Sequence, residues 1–212
     1  MATPSPAALK ALARRDPALG RVMKRLESLP DFPGTDSSDV RSHFGYLLRA
    51  IAFQQLAGAA AATIWGRVCR LTPGPSAPKP PELQSLKDEP LRAAGLSRAK
   101  LAAYRDLSER VLDGRLKLRG IGNCSDEEVI SRLSEVRGIG EWSAQMFLMF
   151  RLGRLDVLPC GDLGVQEGLR LLDGLDERPR PKELAFRGER WRPLASVGTW
   201  LMWRLVDEER EG

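Results

Sequence analysis

Gly138 and Gly140 stand one residue apart, between two stretches that both carry apolar residues at helical spacing. A helix ending at the first glycine and another beginning after the second would leave several backbone amides without intrahelical partners, at the positive end of the second helix dipole. Since glycine has no Cβ, an anion such as phosphate can approach those amides closely. The spacing therefore predicts either an anion-binding hairpin or a compact turn in a helical bundle, and the glycines alone leave both open.

Asp162 is a second candidate for a chemical role. It ends a Gly/Pro-containing loop, "LDVLPCGD", directly before an apolar run of helical spacing. An aspartate in that position is a common helix N-cap, and position alone favours this role. The same carboxylate is able to stabilise a developing cation or to activate a water molecule. The two roles are compatible.

Several other catalytic mechanisms and metal sites need sets of histidine or cysteine residues that this sequence does not contain. His43 is the single histidine, which removes most histidine triads and multi-histidine metal sites. The cysteines lie too far apart for a zinc knuckle or an iron–sulfur ligand run, and we expect them to be small buried hydrophobic residues: Cys69, Cys124 and Cys160. An enzyme built on this chain would therefore rely on carboxylates.

The charge balance favours a polyanionic partner without identifying one. Lysine and arginine together number 33 against 28 aspartates and glutamates, a formal net charge of +5. No apolar stretch approaches the roughly 20 residues that a bilayer span needs, and no secretory signal is visible. We therefore expect a cytoplasmic protein with no membrane segment, associated with the nucleoid if the source is bacterial.

Apolar residues recur at helical spacing along most of the chain, which predicts an all-α fold. Ser125 to Glu128 reads as a capping box, so a helix begins there. Five prolines make residues 72–82 an irregular surface connector. The other predicted helical segments are 9–12, 17–29, 44–71 as one or two helices, 83–86, 89–94, 98–113, a helix that begins after Gly140 and ends near Gly153, and one that follows Asp162.

The segments "GIGEWSA" and "LPCGDLGVQ" resemble the helix–hairpin–helix family of DNA base-excision glycosylases, and more narrowly its 3-methyladenine DNA glycosylase II branch. The resemblance continues, in the expected order, through "RRDPALGRVM", "FQQLAGAAA", "LRAAGLSRAKLAAYRDLSERV" and "RWRPLASVGTWLMWR". It covers nearly the whole chain. It implies one two-lobed domain over residues 1–212, with a central lobe at about 45–165 and a second lobe formed by about 8–44 and 166–212.

The resemblance makes Asp162 the catalytic carboxylate, which would stabilise the oxocarbenium-like sugar while the N-glycosidic bond breaks and would orient or deprotonate the attacking water. An alkylated purine is cationic and leaves without a strong general acid. The implied base pocket contains Trp142, Trp203 and Met146, and a cation–π term of roughly 0.5–2 kcal/mol would favour a cationic base there. For Trp203, helical geometry points the ring away from the apolar stripe of its helix, so a flipped base or packing against the other subdomain would have to cover it.

The same resemblance assigns Gly138 and Gly140 to a DNA phosphate, and it assigns either Gln55 or Leu56 to the gap that a flipped nucleotide leaves in the base stack. The two candidates stay open. No cofactor is required, and the four-cysteine iron–sulfur loop of some relatives is absent. A structural monovalent cation, sodium or potassium, is implied at the backbone carbonyls of Ser134, Val136 and Ile139.

Relatives that add a lyase step carry a lysine at the position of Trp142, because the amine forms a Schiff base with the sugar. The tryptophan therefore implies a monofunctional hydrolase that removes bases of the 3-methyladenine or 7-methylguanine type. Its expected partner is double-stranded DNA containing alkylated bases, and we expect a monomer. The alternatives are a non-catalytic DNA-binding protein, a glycosylase/lyase for oxidised bases, and a structural helical bundle.

Overall fold

The computed structural model describes residues 3–25, 42–74 and 76–211, and all regular structure in those ranges is helical. The predicted all-α class is confirmed. The α-helices are α1 (Pro6–Arg15), α2 (Pro17–Arg25), α3 (His43–Phe53), α4 (Gly58–Cys69), α5 (Pro80–Ser85), α6 (Asp88–Ala93), α7 (Arg98–Leu112), α8 (Asp126–Ser134), α9 (Glu141–Met146), α10 (Leu163–Asp173), α11 (Pro181–Gly188) and α12 (Ala195–Glu211). Positions 26–29 of the second predicted helix lie outside the described residues.

Residues 44–71, predicted to form one or two long helices, form two, α3 and α4, separated by a turn at residues 54–57. Gln55 in this turn adopts a φ of +56°, a left-handed conformation that cannot continue a right-handed helix. The amide of Gln54 bonds to the carbonyl of Ile51, which closes α3 with a tighter turn. We call residues 54–57 the wedge turn.

The proline-rich connector ends earlier than predicted, at Lys79 rather than at residue 82. Pro80 and Pro81 form the first turn of α5, where a missing N–H costs no intrahelical hydrogen bond. The carboxylate of Glu82 accepts the amide of Lys79 over 2.8 Å, which caps that helix. A proline pair therefore begins a helix here instead of excluding one.

The chain divides into two compact units. The described residues of one, the central unit, run from 42 to 147, and those of the other, the terminal unit, are 3–25 and 148–211. We predicted a boundary near residue 165, whereas the structure has it at Leu148. The difference arises because α10, which begins directly after Asp162, packs along α12 in the terminal unit. Asp162 therefore belongs to the terminal unit rather than to the central one.

The core of the central unit is built from α3, α7 and α8. Leu48 and Leu133 are fully buried, as is Tyr104, whose hydroxyl donates to the carbonyl of Leu48 over 2.9 Å. Burial raises the pKa of the Tyr104 phenol far above its ordinary value, so the group remains a neutral donor. This core provides a rigid support for the wedge turn and for the loop that joins α8 to α9.

The terminal unit contains a buried charged cluster around Asp16, which is 1% exposed. Its Oδ2 atom accepts from Arg187 over 2.5 Å and from the indole nitrogen of Trp191 over 2.8 Å, and its Oδ1 atom accepts the amide of Leu19. Arg187 also bonds to Asp173 at 2.7 Å. The cluster ties the N-terminal helices to α10 and α11.

Three tryptophans are buried: Trp65, Trp191 and Trp200. The three cysteines, expected to be buried, are instead all partly exposed, and no disulfide joins them. They lie near the ends of elements or in loops, where their side chains are only partly covered. Within the described part of the chain, no helix is long and apolar enough to cross a bilayer.

Candidate active site

A short loop joins α8 to α9, and its ends are set by local sequence signals. The Ser125 hydroxyl accepts the amide of Glu128 over 3.2 Å, and the Glu128 carboxylate accepts the amide of Ser125 over 3.1 Å. The predicted capping box is confirmed. Gly138 has a φ of +78°, a left-handed conformation that glycine adopts readily, and Gly140 is the N-cap of α9. We call residues 135–140 the hairpin.

Contacts with the core and with α7 hold the hairpin in place. Val136 and Ile139 are buried, and the amide of Ile139 donates to the carbonyl of Val136 over 3.0 Å. The carboxylate of Asp106 on α7 accepts the amide of Arg137 over 2.7 Å and pairs with Arg110 at 3.0 Å. The hairpin is therefore a rigid feature of the central unit.

The two glycines of the hairpin do different things. A Cβ added to Gly138 would lie 3.2 Å from the Cβ of Ala103, so this residue serves the tight turn and the close approach to α7. A Cβ added to Gly140 would meet nothing within 4 Å. As the N-cap of α9, Gly140 makes no side-chain hydrogen bond to the amides of that helix. The turn therefore accounts for Gly138, while the missing Cβ of Gly140 leaves space beside the start of α9 for an anion.

A cavity of about 540 Å³ lies in the central unit beside the hairpin and the wedge turn. Trp142 and Met146, two of the three predicted pocket residues, line it together with the wedge candidate Gln55. Trp142 is 49% exposed, which is unusual for so large an apolar ring. The volume falls within the roughly 300–1,000 Å³ typical of small-molecule sites, and an aromatic face in such a cavity suits a planar base.

The wedge turn carries both predicted wedge residues on the surface. Gln55 is exposed, and Leu56 retains 42% of its accessible surface. Their positions in the turn agree with the predicted role. The choice between them stays a prediction.

Asp162 is the N-cap of α10, as its sequence position indicated. Its Oδ1 atom accepts the amide of Val165 over 2.8 Å and the indole N–H of Trp203 over 3.1 Å. The residue is half-buried at the end of the loop between the π-helical turn at 147–151 and α10. The carboxylate is thus fixed in orientation by two N–H donors.

Trp203 lies in the terminal unit, where its ring stacks on Phe150 with a centroid distance of 6.0 Å and an interplanar angle of 23°. A Cβ added to Gly164 would be 3.0 Å from the indole Cδ1 atom, so the ring packs closely against the start of α10. The ring therefore packs within its own unit and donates a hydrogen bond to Asp162. Trp203 contacts the proposed catalytic residue, whereas Trp142 and Met146 line the cavity of the central unit. The role of Trp203 in a base pocket stays a prediction.

Two residues near the hairpin had not been singled out from the sequence. Gln54 donates from Nε2 to the carbonyl of Gly138 over 2.9 Å, and Lys100 donates from Nζ to the carbonyls of Ala52 and Gln54, each over 2.8 Å. Burial lowers the pKa of the Lys100 amine. The segment "FQQLAGAAA" contains Gln54 and drew attention to this region, but no local signal marks either contact.

Comparisons with known proteins agree with this geometry. The sequence model of the HhH-GPD superfamily of base excision DNA repair proteins matches residues 48–193. DNA-3-methyladenine glycosylase 1 of Schizosaccharomyces pombe is 31% identical over 169 residues, which are 79% of this chain and 74% of that protein.

Two solved structures share the fold over almost the whole chain. The DNA-3-methyladenine glycosidase of Bacillus halodurans is 35% identical with a TM-score of 0.84, over 100% of this chain and 94% of that one. The 3-methyladenine DNA glycosylase of Schizosaccharomyces pombe in complex with abasic DNA is 29% identical with a TM-score of 0.82, over 93% of this chain and 95% of that one. With the helix–hairpin–helix geometry and the Asp162 loop in place, the chain belongs to the HhH-GPD superfamily of base excision DNA repair proteins.

Proposed function

We propose that this protein is a DNA glycosylase that hydrolyses the N-glycosidic bond of alkylated bases, of the 3-methyladenine or 7-methylguanine type, in double-stranded DNA. The observation that carries the proposal is the carboxylate of Asp162, held by the N–H groups of Val165 and Trp203 at the end of the loop before α10. Relatives named as 3-methyladenine glycosylases support the substrate class.

Asp162 acts on the sugar. Breaking the bond between deoxyribose C1′ and the base nitrogen builds positive charge on the sugar ring, which a nearby carboxylate stabilises. The same group orients or deprotonates the water that attacks C1′. Because Val165 and Trp203 already fix one of its oxygens, the carboxylate spends little free energy on reorganisation when the charge develops.

The hairpin holds the DNA backbone. A phosphate oxygen bonds to the amides at the start of α9, and the absence of a Cβ on Gly140 lets it approach. Contacts to phosphate position a protein on the duplex without reading base sequence. Lesion recognition then depends on the flipped base itself.

The leaving base needs little help, since alkylation at N3 or N7 makes it cationic. The exposed ring of Trp142 at the cavity attracts a cationic base more strongly than a neutral one, through a cation–π term of roughly 0.5–2 kcal/mol. Met146 lines the same cavity with a flexible apolar side chain. These two residues set the lesion range.

The reaction stops at the abasic site, without strand cleavage. A lyase step needs an amine that attacks the sugar, and position 142 carries a tryptophan instead. No lysine stands between Lys117 and Lys182. The Lys100 amine bonds to two backbone carbonyls of α3 and the wedge turn, a structural use of that group.

A monovalent cation at the hairpin fits the residues present. The candidate ligands, the carbonyl oxygens of Ser134, Val136 and Ile139, are neutral hard donors, and the Val136 oxygen keeps one lone pair after accepting the Ile139 amide. Bound there, sodium or potassium would add positive charge near the phosphate. Replacing both ions with tetramethylammonium at constant ionic strength should weaken binding to duplex DNA, and equal affinity would contradict this site.

The test of the function is to incubate the protein with methylated duplex DNA, measure free base, and assay strand breaks before and after alkali. We expect free 3-methyladenine or 7-methylguanine, with strand breaks only after alkali. Duplex binding without base release would favour the non-catalytic alternative. Strand breaks before alkali would contradict the monofunctional reaction.

A further inference from the structure

The wedge turn and the hairpin belong to different parts of the sequence but are joined by one side chain. Gln54, the first residue of the wedge turn, donates from Nε2 to the carbonyl of Gly138 over 2.9 Å and approaches the hydroxyl of Ser143 at 3.4 Å. Gly138 is the residue of the hairpin with left-handed backbone, and Ser143 lies in the first turn of α9. A single amide group therefore contacts both the hairpin and the helix that follows it.

The backbone of Gln54 is held as well. The amine of Lys100 on α7 donates to the carbonyls of Ala52 and Gln54, each over 2.8 Å, at the C-terminal end of α3. A cation at this end of a helix is favourable, since the unpaired carbonyls there carry partial negative charge. Gln54 is thus fixed by its own carbonyl on one side and by its side chain on the other.

The next residue needs such support. Gln55 has a φ of +56°, a conformation that costs a non-glycine residue free energy and persists only where the surroundings impose it. It is exposed at the tip of the turn, so its own side chain does not pack against a core. The contacts of Gln54 and Lys100 hold the residue that directly precedes it.

We propose that Gln54 is a positioning residue that couples the phosphate-binding hairpin to the wedge turn. A phosphate bound at the hairpin thereby fixes the position and direction at which Gln55 and Leu56 enter the base stack. Lys100 supports this coupling through its hydrogen bonds to the backbone carbonyls of Ala52 and Gln54. The inference rests on the proposed function in one respect, that the ligand is duplex DNA. It does not require that a base be released.

The test uses Gln54→Met, which keeps the side-chain length and removes both N–H donors, with Lys100→Met as a second variant. The matched control is Gln84→Ala, an exposed glutamine of α5 in the same unit. Each full-length protein is bound to a duplex that carries a tetrahydrofuran abasic analogue with 2-aminopurine opposite it. The 2-aminopurine fluorescence reports how far the stack is opened, and affinity for undamaged duplex and the thermal midpoint are measured beside it.

We expect the equilibrium constant for stack opening to fall about two- to tenfold in both variants, because this is the factor that the loss of one hydrogen bond typically gives. Affinity for undamaged duplex should match that of the control, and the thermal midpoint should fall by no more than a few degrees. An unchanged fluorescence response in Gln54→Met would overturn the proposal. So would an equal loss of undamaged-duplex affinity and thermal stability, because that pattern belongs to a purely structural hydrogen bond.

The two proposals fail in different ways. A wild-type protein that opens the stack and releases no base would contradict the glycosylase function, while loss of the fluorescence response in Gln54→Met would still support the coupling. A wild-type protein that releases base without any fluorescence response would overturn the coupling and leave the function standing.

Discussion

The indole N–H of Trp203 donates to the Oδ1 atom of Asp162 over 3.1 Å, and the same oxygen accepts the amide of Val165. The tryptophan is on α12 and the aspartate caps α10, two helices that pack along each other. Close approach is possible because residue 164 is glycine, where a Cβ would lie 3.0 Å from the indole. The C-terminal helix therefore orients the carboxylate that we propose does the chemistry.

Replacing Trp203 with phenylalanine removes the N–H donor and keeps an aromatic ring to stack on Phe150. Hydrogen bonds to charged groups contribute about 1.5–3 kcal/mol, so we expect the single-turnover rate of base release to fall about tenfold or more. Affinity for abasic duplex should change little. A rate equal to that of the wild type would mean that Trp203 acts by packing or by stacking on the base rather than through its N–H.

Gly140→Ala tests the phosphate contact, because the added methyl group meets no protein atom within 4 Å and should not disturb the fold. It would occupy the space that a phosphate needs. We expect affinity for duplex DNA to fall about tenfold, by the same factor for damaged and undamaged DNA.

The matched control for that variant is Gly66→Ala, within α4 of the same unit, where the new Cβ makes an ordinary contact at 3.7 Å with the Arg70 side chain. Both proteins should unfold at temperatures close to the wild-type value. Wild-type DNA affinity in Gly140→Ala would show that the hairpin is only a turn.

Met146→Tyr tests the lesion range. A larger aromatic side chain fills part of the cavity beside Trp142 and should favour cationic bases over neutral ones. We expect the rate ratio of 3-methyladenine to hypoxanthine to rise, measured on defined duplexes, while Met146→Leu, of similar volume, leaves it near the wild-type value. An unchanged ratio in Met146→Tyr would remove this residue from the specificity determinants.

The lowered pKa of Asp16 leads to a prediction of how the stability of the fold depends on pH. Burial acts to raise its pKa, but hydrogen bonds from Arg187 and Trp191 outweigh that effect and hold the pKa below the ordinary 3.8. A carboxyl with a lower pKa in the folded than in the unfolded state stabilises the fold above its ordinary pKa, and this stabilisation is lost as pH falls through the folded-state pKa. Asp16→Asn should therefore cost about 2 kcal/mol in urea unfolding at pH 7 and less at pH 3.

The control for this series is Asp176→Asn, an exposed aspartate of the same unit, which should unfold like the wild type at both pH values. An equal destabilisation by Asp16→Asn at pH 7 and pH 3 would mean that the charge of Asp16 contributes nothing to the pH dependence.

Local features were predictable from the sequence because their signals lie within a few residues. The Ser125–Glu128 capping box joins positions three apart, and Asp162 directly precedes the helix that it caps. Both were predicted and are confirmed.

The contacts that join distant residues were not predictable. Gln54 and Gly138 are 84 positions apart and Asp162 and Trp203 are 41 apart, and no spacing pattern marks either pair. The unit boundary was misplaced for the same reason, since only the packing of α10 along α12 assigns the Asp162 loop to the terminal unit.

The central claim concerns the carboxylate of Asp162, and Asp162→Asn tests it most directly. Asparagine is as good an N-cap and still accepts from Val165 and Trp203, so the fold should be kept while the charge is removed. On methylated duplex DNA under single-turnover conditions, we expect release of free base to fall by at least about a hundredfold, whereas the Asp176→Asn control keeps the wild-type rate. Full activity in Asp162→Asn would contradict the account.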